Sequence, residues 1–389
     1  MVETILLVGI VASIFVGFNI GGSSTGIAWG PAVGAGIVTK TAAAAVMTFF
    51  VFLGGWTVGR NVMDTLSEGI ITIEISLSAG VAVLFFIGLG ILIANVFGVP
   101  VPTSMTTVGA IAGLGLATGT LNYAEMGRII SWWIVTPVIG FWIGATIGRY
   151  LYPELNRRVE IQKSPGPLLV FDRNGSVPIP AFGPNTTWRE IVTTAVVIVI
   201  GCYMAFSAGA SNVPNAAAPL VSGGAIGADP AIVIATLAIG LGGFTIARRT
   251  MESVGSELSD IPLLAALIVM LTAATITTAL SWIGIPISLV MSSVMTIVGL
   301  GWGRATRPIT VREVVTGDAE DAEIAMGALG AESDAPAREI GAAEPADVLD
   351  ANELFNPRAT AKYISMWIVG PSVSTALAYG FFLAVPGVA

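Results

Sequence analysis

Eight stretches of this chain carry no charged side chain. They run from Thr4 to Thr39 (36 residues), Thr41 to Gly59 (19), Ile75 to Ala124 (50) and Ile129 to Gly148 (20), then over 191–228 (38), 230–247 (18), 261–303 (43) and 363–389 (27). A bilayer crossing takes about 20 such residues, so the shorter runs hold one crossing each and the longest hold two. Only 11% of the residues are charged, against about 25% in soluble domains, and a soluble fold is excluded. The first run lacks a basic leader and passes into Gly/Ser-rich sequence, so it reads as part of the protein and not as a cleaved signal.

The formal charge of −8 is unevenly placed: Glu313 to Glu353 holds 12 acidic residues and one basic residue, Arg338, leaving 16 basic against 13 acidic elsewhere. There is no histidine, and Cys202 is the sole cysteine. Disulfides within the chain, cysteine metal clusters and histidine relays are therefore excluded. An intramembrane enzyme would need a nucleophile with its base, a metal site or paired acids; none recurs, and the chain reads as a non-enzyme without an organic cofactor.

The run lengths repeat in order, and so do the residues. Phe18-Asn19-Ile20-Gly21-Gly22-Ser23-Ser24 realigns 188 positions later on Phe206-Ser207-Ala208-Gly209-Ala210-Ser211-Asn212, and Arg60 to Thr65 meets Arg248 to Ser253 at the same offset. Pro100-Val101 with Met105 to Val108 meets Pro286-Ile287 with Met291 to Val294 at an offset of 186, and Trp133-Ile-Val-Thr-Pro137 meets Trp367-Ile-Val-Gly-Pro371 at 234. The jump of 48 places an insertion between Arg304 and Arg358, which is the acidic segment.

The expected fold is an all-α polytopic membrane protein of two inverted-topology repeats, with about ten full spans plus short re-entrant segments where helices break. Its expected units are 1–151 (first repeat), 152–188 (cytoplasmic linker), 189–302 (first part of the second repeat), 303–358 (acidic cytoplasmic insertion, solvated by composition) and 359–389 (last span). Placing the linker inside puts 15 of the 17 basic residues on the cytoplasmic side, all but Arg60 and Arg128, as the positive-inside rule favours. Both termini then lie outside, in a multi-pass protein of the cell membrane. Five spans per repeat is an odd number, so the second repeat inserts upside down. That is the plan of many secondary transporters, with the substrate site where the repeats meet.

Two motif pairs carry chemistry. Gly17-Phe-Asn-Ile-Gly-Gly-Ser-Ser-Thr-Gly-Ile-Ala-Trp-Gly-Pro31 and its copy Phe206 to Pro219 are too polar for lipid-facing helix; they read as broken helices presenting Asn19, Ser23, Ser24, Ser211, Asn212 and Asn215, or as small-residue packing faces. Proline breaks precede Thr103, Ser104 and Ser288, hydroxyls that can cap a new helix or bind an oxyanion. Thr106, Thr107, Ser292 and Ser293 read as back-bonding to their own helices. Arg60 with Asp64, and Arg248 with Glu252, have the spacing of helix-surface ion pairs, either as interface anchors or as gates. Glu74 is the acid nearest membrane depth or the interface.

These motifs, in this order, resemble the inorganic phosphate transporter (PiT) family over nearly the whole chain outside the acidic insertion. The resemblance implies an inverted-repeat fold, cation-coupled phosphate uptake and a homodimer. The family hallmarks GxNDxANDxANAxG, FxHGANDVxNAxGP and P-V-S-T-T-H are only partly kept. Asn19 and Asn215 are retained, whereas Ile20, Ser23, Ser24, Ser211 and Asn212 depart; of the hydroxyls in P-V-S-T-T-H, Pro100 to Met105 keeps one threonine with Ser104 exchanged for the other, and Pro286 to Met291 keeps only the serine. Every hallmark carboxylate and histidine is replaced. A coupling sodium would have neutral oxygens from Asn19, Ser24, Asn212 and Asn215.

The function expected is secondary transport of an inorganic oxyanion, phosphate by resemblance, with sodium or proton coupling. Sulfate on the same scaffold, or a non-transporting sensor, are the alternatives; the partners are the anion and the bilayer, with no nucleic acid. Alanine at Asn19, Asn212 or Ser288 is expected to weaken anion uptake into proteoliposomes, and unchanged kinetics in all three would move the site elsewhere.

Overall fold

The computed structural model describes residues 2–96, 102–158, 169–172, 179–183, 186–224, 226–245, 263–305 and 357–388. The helices are α1 Val2–Gly34, α2 Lys40–Trp56, α3 Gly59–Asp64, α4 Leu77–Val96, α5 Thr103–Thr118, α6 Tyr123–Thr146 and α7 Tyr152–Arg158, followed by α8 Trp188–Ser222, α9 Ala228–Thr245, α10 Leu263–Trp282, α11 Leu289–Ala305 and α12 Pro357–Ala384. Single π-helical turns extend α3 over Thr65–Gly69 and join α6 to α7 over Ile147–Leu151.

The helices fall on the charge-free runs and begin where capping residues allow. Thr39, Asn122 and Thr187 accept from the N–H groups of Ala42, Glu125 and Glu190 at 3.2–3.3 Å, satisfying donors that the helix itself leaves open. Gly119, at φ 70°, ends α5 in the left-handed conformation that glycine adopts without strain. Large apolar side chains such as Leu7, Phe49, Ile134, Val199, Leu237 and Ile368 are exposed around the bundle. In water such a surface would aggregate; in a bilayer it is the lipid-facing wall.

Antiparallel contacts set two faces. Ser13 of α1 donates to the Ala216 carbonyl of α8, while Trp29, further along α1, packs on Gly201, earlier in α8. The face where α1 begins is called near and the other far. Ile71 bridges Leu121, and Thr72 N–H donates to the Thr120 carbonyl at 2.9 Å. The start of α4 and the end of α5 therefore share the near face, and α4–α5 is a helical hairpin with its bend away from that face. In the second half, α10 begins beside Tyr152 on the far side and ends at Trp282, which Asn61 holds at the near side.

Helix backbones meet at glycine. Gly21 lies against the Ile239 carbonyl and Gly209 against that of Val51; Gly54 meets the Phe206 carbonyl and Gly242 that of Phe18. Each contact has a counterpart displaced by 188 residues. Gly113 on the Thr375 carbonyl and Gly299 on the Phe141 carbonyl pair in the same way.

Three expectations change in detail. The linker holds a two-stranded antiparallel hairpin, Leu169–Asp172 with Ile179–Phe182, so the chain is almost entirely helical and not all-α. The Gly/Ser-rich segments are helical throughout, inside α1 and α8, although Pro214 and Pro219 lie within the latter. Neighbouring backbones packed at glycine hold the helical path where the sequence suggests a break. Among the described residues, six helices are long and apolar enough to cross a membrane, with α2 and the α3 segment, bent by 60°, as a further candidate. At 16 and 17 residues, α5 and α11 are shorter than the about 20 a full crossing takes. Arg248, Glu252, Pro100 and almost all of the acidic insertion lie outside the described residues.

Gly54→Val should lower thermal stability in detergent by about 1–3 kcal/mol, the usual cost of overpacking, because its Cβ has no room beside the Phe206 carbonyl. Gly127→Ala, where nothing lies within 4 Å, is the neutral control; equal melting temperatures for the two would refute the packing argument.

Candidate functional site

Proline fixes where α5 starts. Pro102 has no N–H, and its carbonyl accepts the first bond of the helix, from Thr106 N–H at 3.1 Å. The N–H groups of Thr103, Ser104 and Met105 precede that bond, and no side chain caps them. The start of α11 is different: Ser288 Oγ accepts from Met291 N–H at 3.4 Å. So one N–H at the start of α11 is capped by its own serine, whereas none at the start of α5 has a side-chain cap. Ser104 lies about 20 Å along α5 from its near-face end, at 1.5 Å per residue.

The middle of α8 packs against that start. Thr103 Oγ1 donates to Asn212 Oδ1 at 2.7 Å. Asn215 Nδ2 reaches the Ser211 carbonyl at 3.1 Å, Ser104 Oγ at 3.2 Å and Thr103 Oγ1 at 3.4 Å. A carbonyl can only accept, so the bond to Ser211 fixes which end of the Asn215 amide is nitrogen. Ser104 Oγ donates to the Ile287 carbonyl at 3.0 Å, with the Ser211 carbonyl at 3.4 Å, and thereby ties the start of α5 to the segment entering α11.

Thr103, Ser104, Ser211, Asn212, Asn215 and Ser288 are all buried, none more than 6% exposed. Both hydroxyl protons of Thr103 and Ser104 are committed to oxygen acceptors. What remains is a set of backbone donors on α5 and one buried acceptor, Asn215 Oδ1, which has no hydrogen-bond partner. An unpaired amide oxygen in such surroundings costs about 1–3 kcal/mol, and a ligand that pairs it recovers that cost. The cluster carries no formal charge. N–H donors at a helix start suit an oxyanion, and neutral oxygens, Asn215 Oδ1 among them, suit a monovalent cation. Among the described residues no group of three His, Cys, Asp or Glu could hold a metal ion.

The structure thus joins six of the nine expected binding residues, with Ser288 reached through the neighbouring Ile287 carbonyl. Asn19 is buried on α1, where its Nδ2 donates to the Phe15 carbonyl at 2.8 Å. Ser23 and Ser24 follow it on the same helix, their side chains outside the described residues. Thr106, Thr107, Ser292 and Ser293 do bond back to carbonyls of their own helices, at 2.9–3.4 Å.

The expected Arg60–Asp64 pair is replaced. Arg60 stacks over Trp56, 4.6 Å from the ring centroid, donates from Nε to the Trp56 carbonyl, and pairs with Asp229 at the start of α9. Anchoring the guanidinium to Trp56 turns it away from its own helix, and the first turn of α9 favours a carboxylate. Glu74 is exposed in the near-face connection before α4. Sequence reasoning missed Asn61, Arg128 and Trp133, whose partners are the carbonyls of Trp282, Ile283 and Pro286. A carbonyl acceptor leaves no signature in sequence, and the spacing of Glu125 and Arg128 suggests only a local ion pair.

A helical membrane bundle with an uncharged polar cluster where a helix begins in its interior is the build of a secondary transporter. The chain belongs to the phosphate transporter family, whose profile matches residues 20–378. It is 28% identical over 311 residues to the sulfate permease CysP of Bacillus subtilis (strain 168), covering 79% of this chain and 80% of that protein. It is 24% identical over 394 residues to inorganic phosphate transporter 2-1, chloroplastic, of Arabidopsis thaliana, covering 77% of this chain and 67% of that one. A solved structure of a sodium-dependent phosphate transporter superposes with a TM-score of 0.67 at 19% identity, over 98% of this chain and 100% of the other. At that identity the match establishes the fold.

Removing Thr103 Oγ1 and the Asn212 side chain should not be additive. A double-mutant cycle of Thr103→Ala and Asn212→Ala is expected to give a coupling of about 0.5–1.5 kcal/mol, the range for hydrogen bonds between membrane helices. Additive losses of stability would mean that the pair does not form.

Proposed function

We propose that this protein carries phosphate across the cell membrane by alternating access, driven by a cation gradient, with sodium as the coupling ion. The observation that carries the reading is the start of α5: buried N–H donors without a side-chain cap, flanked by Thr103, Ser104, Asn212 and Asn215. Family membership gives phosphate as the first substrate, and the sodium-dependent transporter that shares the fold supports the choice of cation. Neutral oxygens at Asn212 and Asn215, with Asn19 and Ser24 on α1, are the proposed sodium ligands.

The proposed architecture is two inverted repeats of five crossings each, built from 1–151 and from 189–302 with 359–389, with a linker at 152–188 and the acidic insertion at 303–358. Contacts displaced by 188 residues, such as Gly21 with Ile239 and Gly209 with Val51, support a pseudo-twofold relation between the halves. In this reading the near face is outside with both termini, and the far face, with most of the basic residues, is cytoplasmic. In the hairpins α4–α5 and α10–α11 the second arms, α5 and α11, cross only in part as regular helix, and the proline motifs line the bends. Arg60 with Asp229 and, on the opposite face, Arg248 with Glu252 mark the two entrances. The protein acts as a homodimer in the bilayer.

Sulfate is the second reading. It is favoured by the sulfate permease among the relatives and by a site without carboxylates, because sulfate near neutral pH carries no proton that needs an acceptor.

Uptake of labelled phosphate into proteoliposomes tests the reading. Phosphate should accumulate with an inward sodium gradient and collapse without it, and equimolar sulfate should leave uptake unchanged. Thr103→Ala, Ser104→Ala and Asn215→Ala should each lower uptake by about tenfold or more, the loss of one hydrogen bond that serves a charged group. Sulfate accumulating in place of phosphate would reassign the substrate; accumulation of neither anion by folded protein would sink the transport reading.

A further inference from the structure

Between the end of α10 and the first turn of α11 the chain passes from the near surface to the polar cluster in a few residues. Trp282 and Ile283 are 66% and 47% exposed, Ile285 and Ile287 are fully buried, and Ser288 is 3% exposed. Gly284, at φ 78°, makes the reversal, a conformation that only glycine adopts readily. The strap from Trp282 to Ser288, a turn at 283–284 followed by non-helical chain to Ser288, is held from outside. The Trp282 carbonyl accepts from Asn61 Nδ2 at 2.6 Å, Ile283 from Arg128 Nη2 at 2.6 Å, Pro286 from Trp133 Nε1 at 2.9 Å and Ile287 from Ser104 Oγ at 3.0 Å. Glu125 aims the arginine, accepting from Arg128 Nη1 at 2.9 and 3.2 Å.

These four grips differ in place. Ser104 and Trp133 hold the deep end, beside the cluster; Asn61 and Arg128 hold the surface end and belong to elements other than α10 and α11. Ile285 lies between the two pairs, and both Ile285 and Ile287 pack with Met105, Leu280 and Met291 beside the cluster. A strap without a helical bond for each of its carbonyls depends on outside donors, and losing two of them frees its outer half while the inner half stays tied.

We propose that Asn61 and Arg128 are positioning residues for transport. They hold the 282–288 strap so that Ile285 and Ile287 seal the cluster from the near face, and releasing the strap opens the cluster to that side. The proposal rests on reading the Thr103–Asn215 cluster as the anion site. It explains two polar side chains that the site does not use, and it accounts for the near-face closure by chain segments and not by the Arg60 ion pair. The Asn61 grip is an ordinary hydrogen bond and the Arg128 grip a charge-assisted one, so losing them should shift the closed-to-open ratio by about twofold to tenfold and by about tenfold or more, respectively.

Cysteine accessibility tests it. Cys202→Ala removes the sole cysteine, and Ile285→Cys then places a reporter on the strap. In oriented proteoliposomes a membrane-impermeant methanethiosulfonate reagent is applied to one face at a time. Arg128→Ala should speed labelling from the near face by about tenfold or more and Asn61→Ala by about twofold to tenfold, neither changing the rate from the far face, and Arg128→Lys, which keeps a cationic donor, should restore most of the protection. An unchanged near-face rate overturns the proposal, and so does equal acceleration from both faces, which would mean a loosened fold. Should Arg128→Ala not fold, Asn61→Ala and Arg128→Gln are read in the same way. Labelling needs no substrate, so protein that moves neither phosphate nor sulfate but shows the one-sided acceleration would sink the transport reading while leaving the strap in place.

Discussion

A chain that stops being helical inside a bilayer exposes peptide groups that lipid cannot satisfy, at several kcal/mol each. The proline motifs before α5 and α11 create that situation twice, and the hydrogen bond from Ser104 Oγ to the Ile287 carbonyl joins the two places. The surrounding structure supplies partners for what those breaks expose. Ser288 closes the start of α11, Trp133 takes the Pro286 carbonyl, and Asn215 bridges both hydroxyls at the start of α5. The N–H groups at the start of α5 receive no side-chain cap, and the proposed binding position rests on that asymmetry.

The absence of charge in the cluster has a physical advantage. An ionised carboxylate at this depth would oppose an anion and would itself need a partner. Backbone dipoles and neutral amides attract without that conflict, and their strength rises as water is excluded. The same neutrality weakens any hold on sodium, so a cation at this site would depend on geometry and on the anion's own charge. Among the described residues, the ion pairs of Arg60 with Asp229 and of Glu125 with Arg128 stand at the near face, away from the cluster.

Much of this could be read in the sequence, for reasons particular to membranes. Charge-free runs mark helices because an apolar solvent tolerates no other open backbone, and α2, α6, α9 and α10 fall where the runs predict. Thr103, Ser104, Asn212 and Asn215 stood out because polar residues persist in apolar runs only where something uses them, and the structure gathers the four into one hydrogen-bonded cluster. The breaks expected in α1 and α8 were not found. Glycine and serine lower helix propensity in water, but here they are the positions where neighbouring backbones press in and hold the helix. Asp64 was the natural partner for Arg60 on spacing alone, and Asp229, 169 residues away, could be found only once α3 and α9 were side by side.

Sequence alone determined that the chain lies in a membrane, that its halves repeat, and which polar side chains sit at the breaks, because each of these depends on composition and order along the chain. Tertiary structure decided which of those side chains meet. It also decided that no α5 donor has a side-chain cap while Ser288 caps one donor of α11, and that Asn61 and Arg128 grip a strap from other helices. Hydrogen bonds to backbone carbonyls depend on where the main chain runs in space, and every residue carries the same carbonyl, so no pattern of side chains announces them.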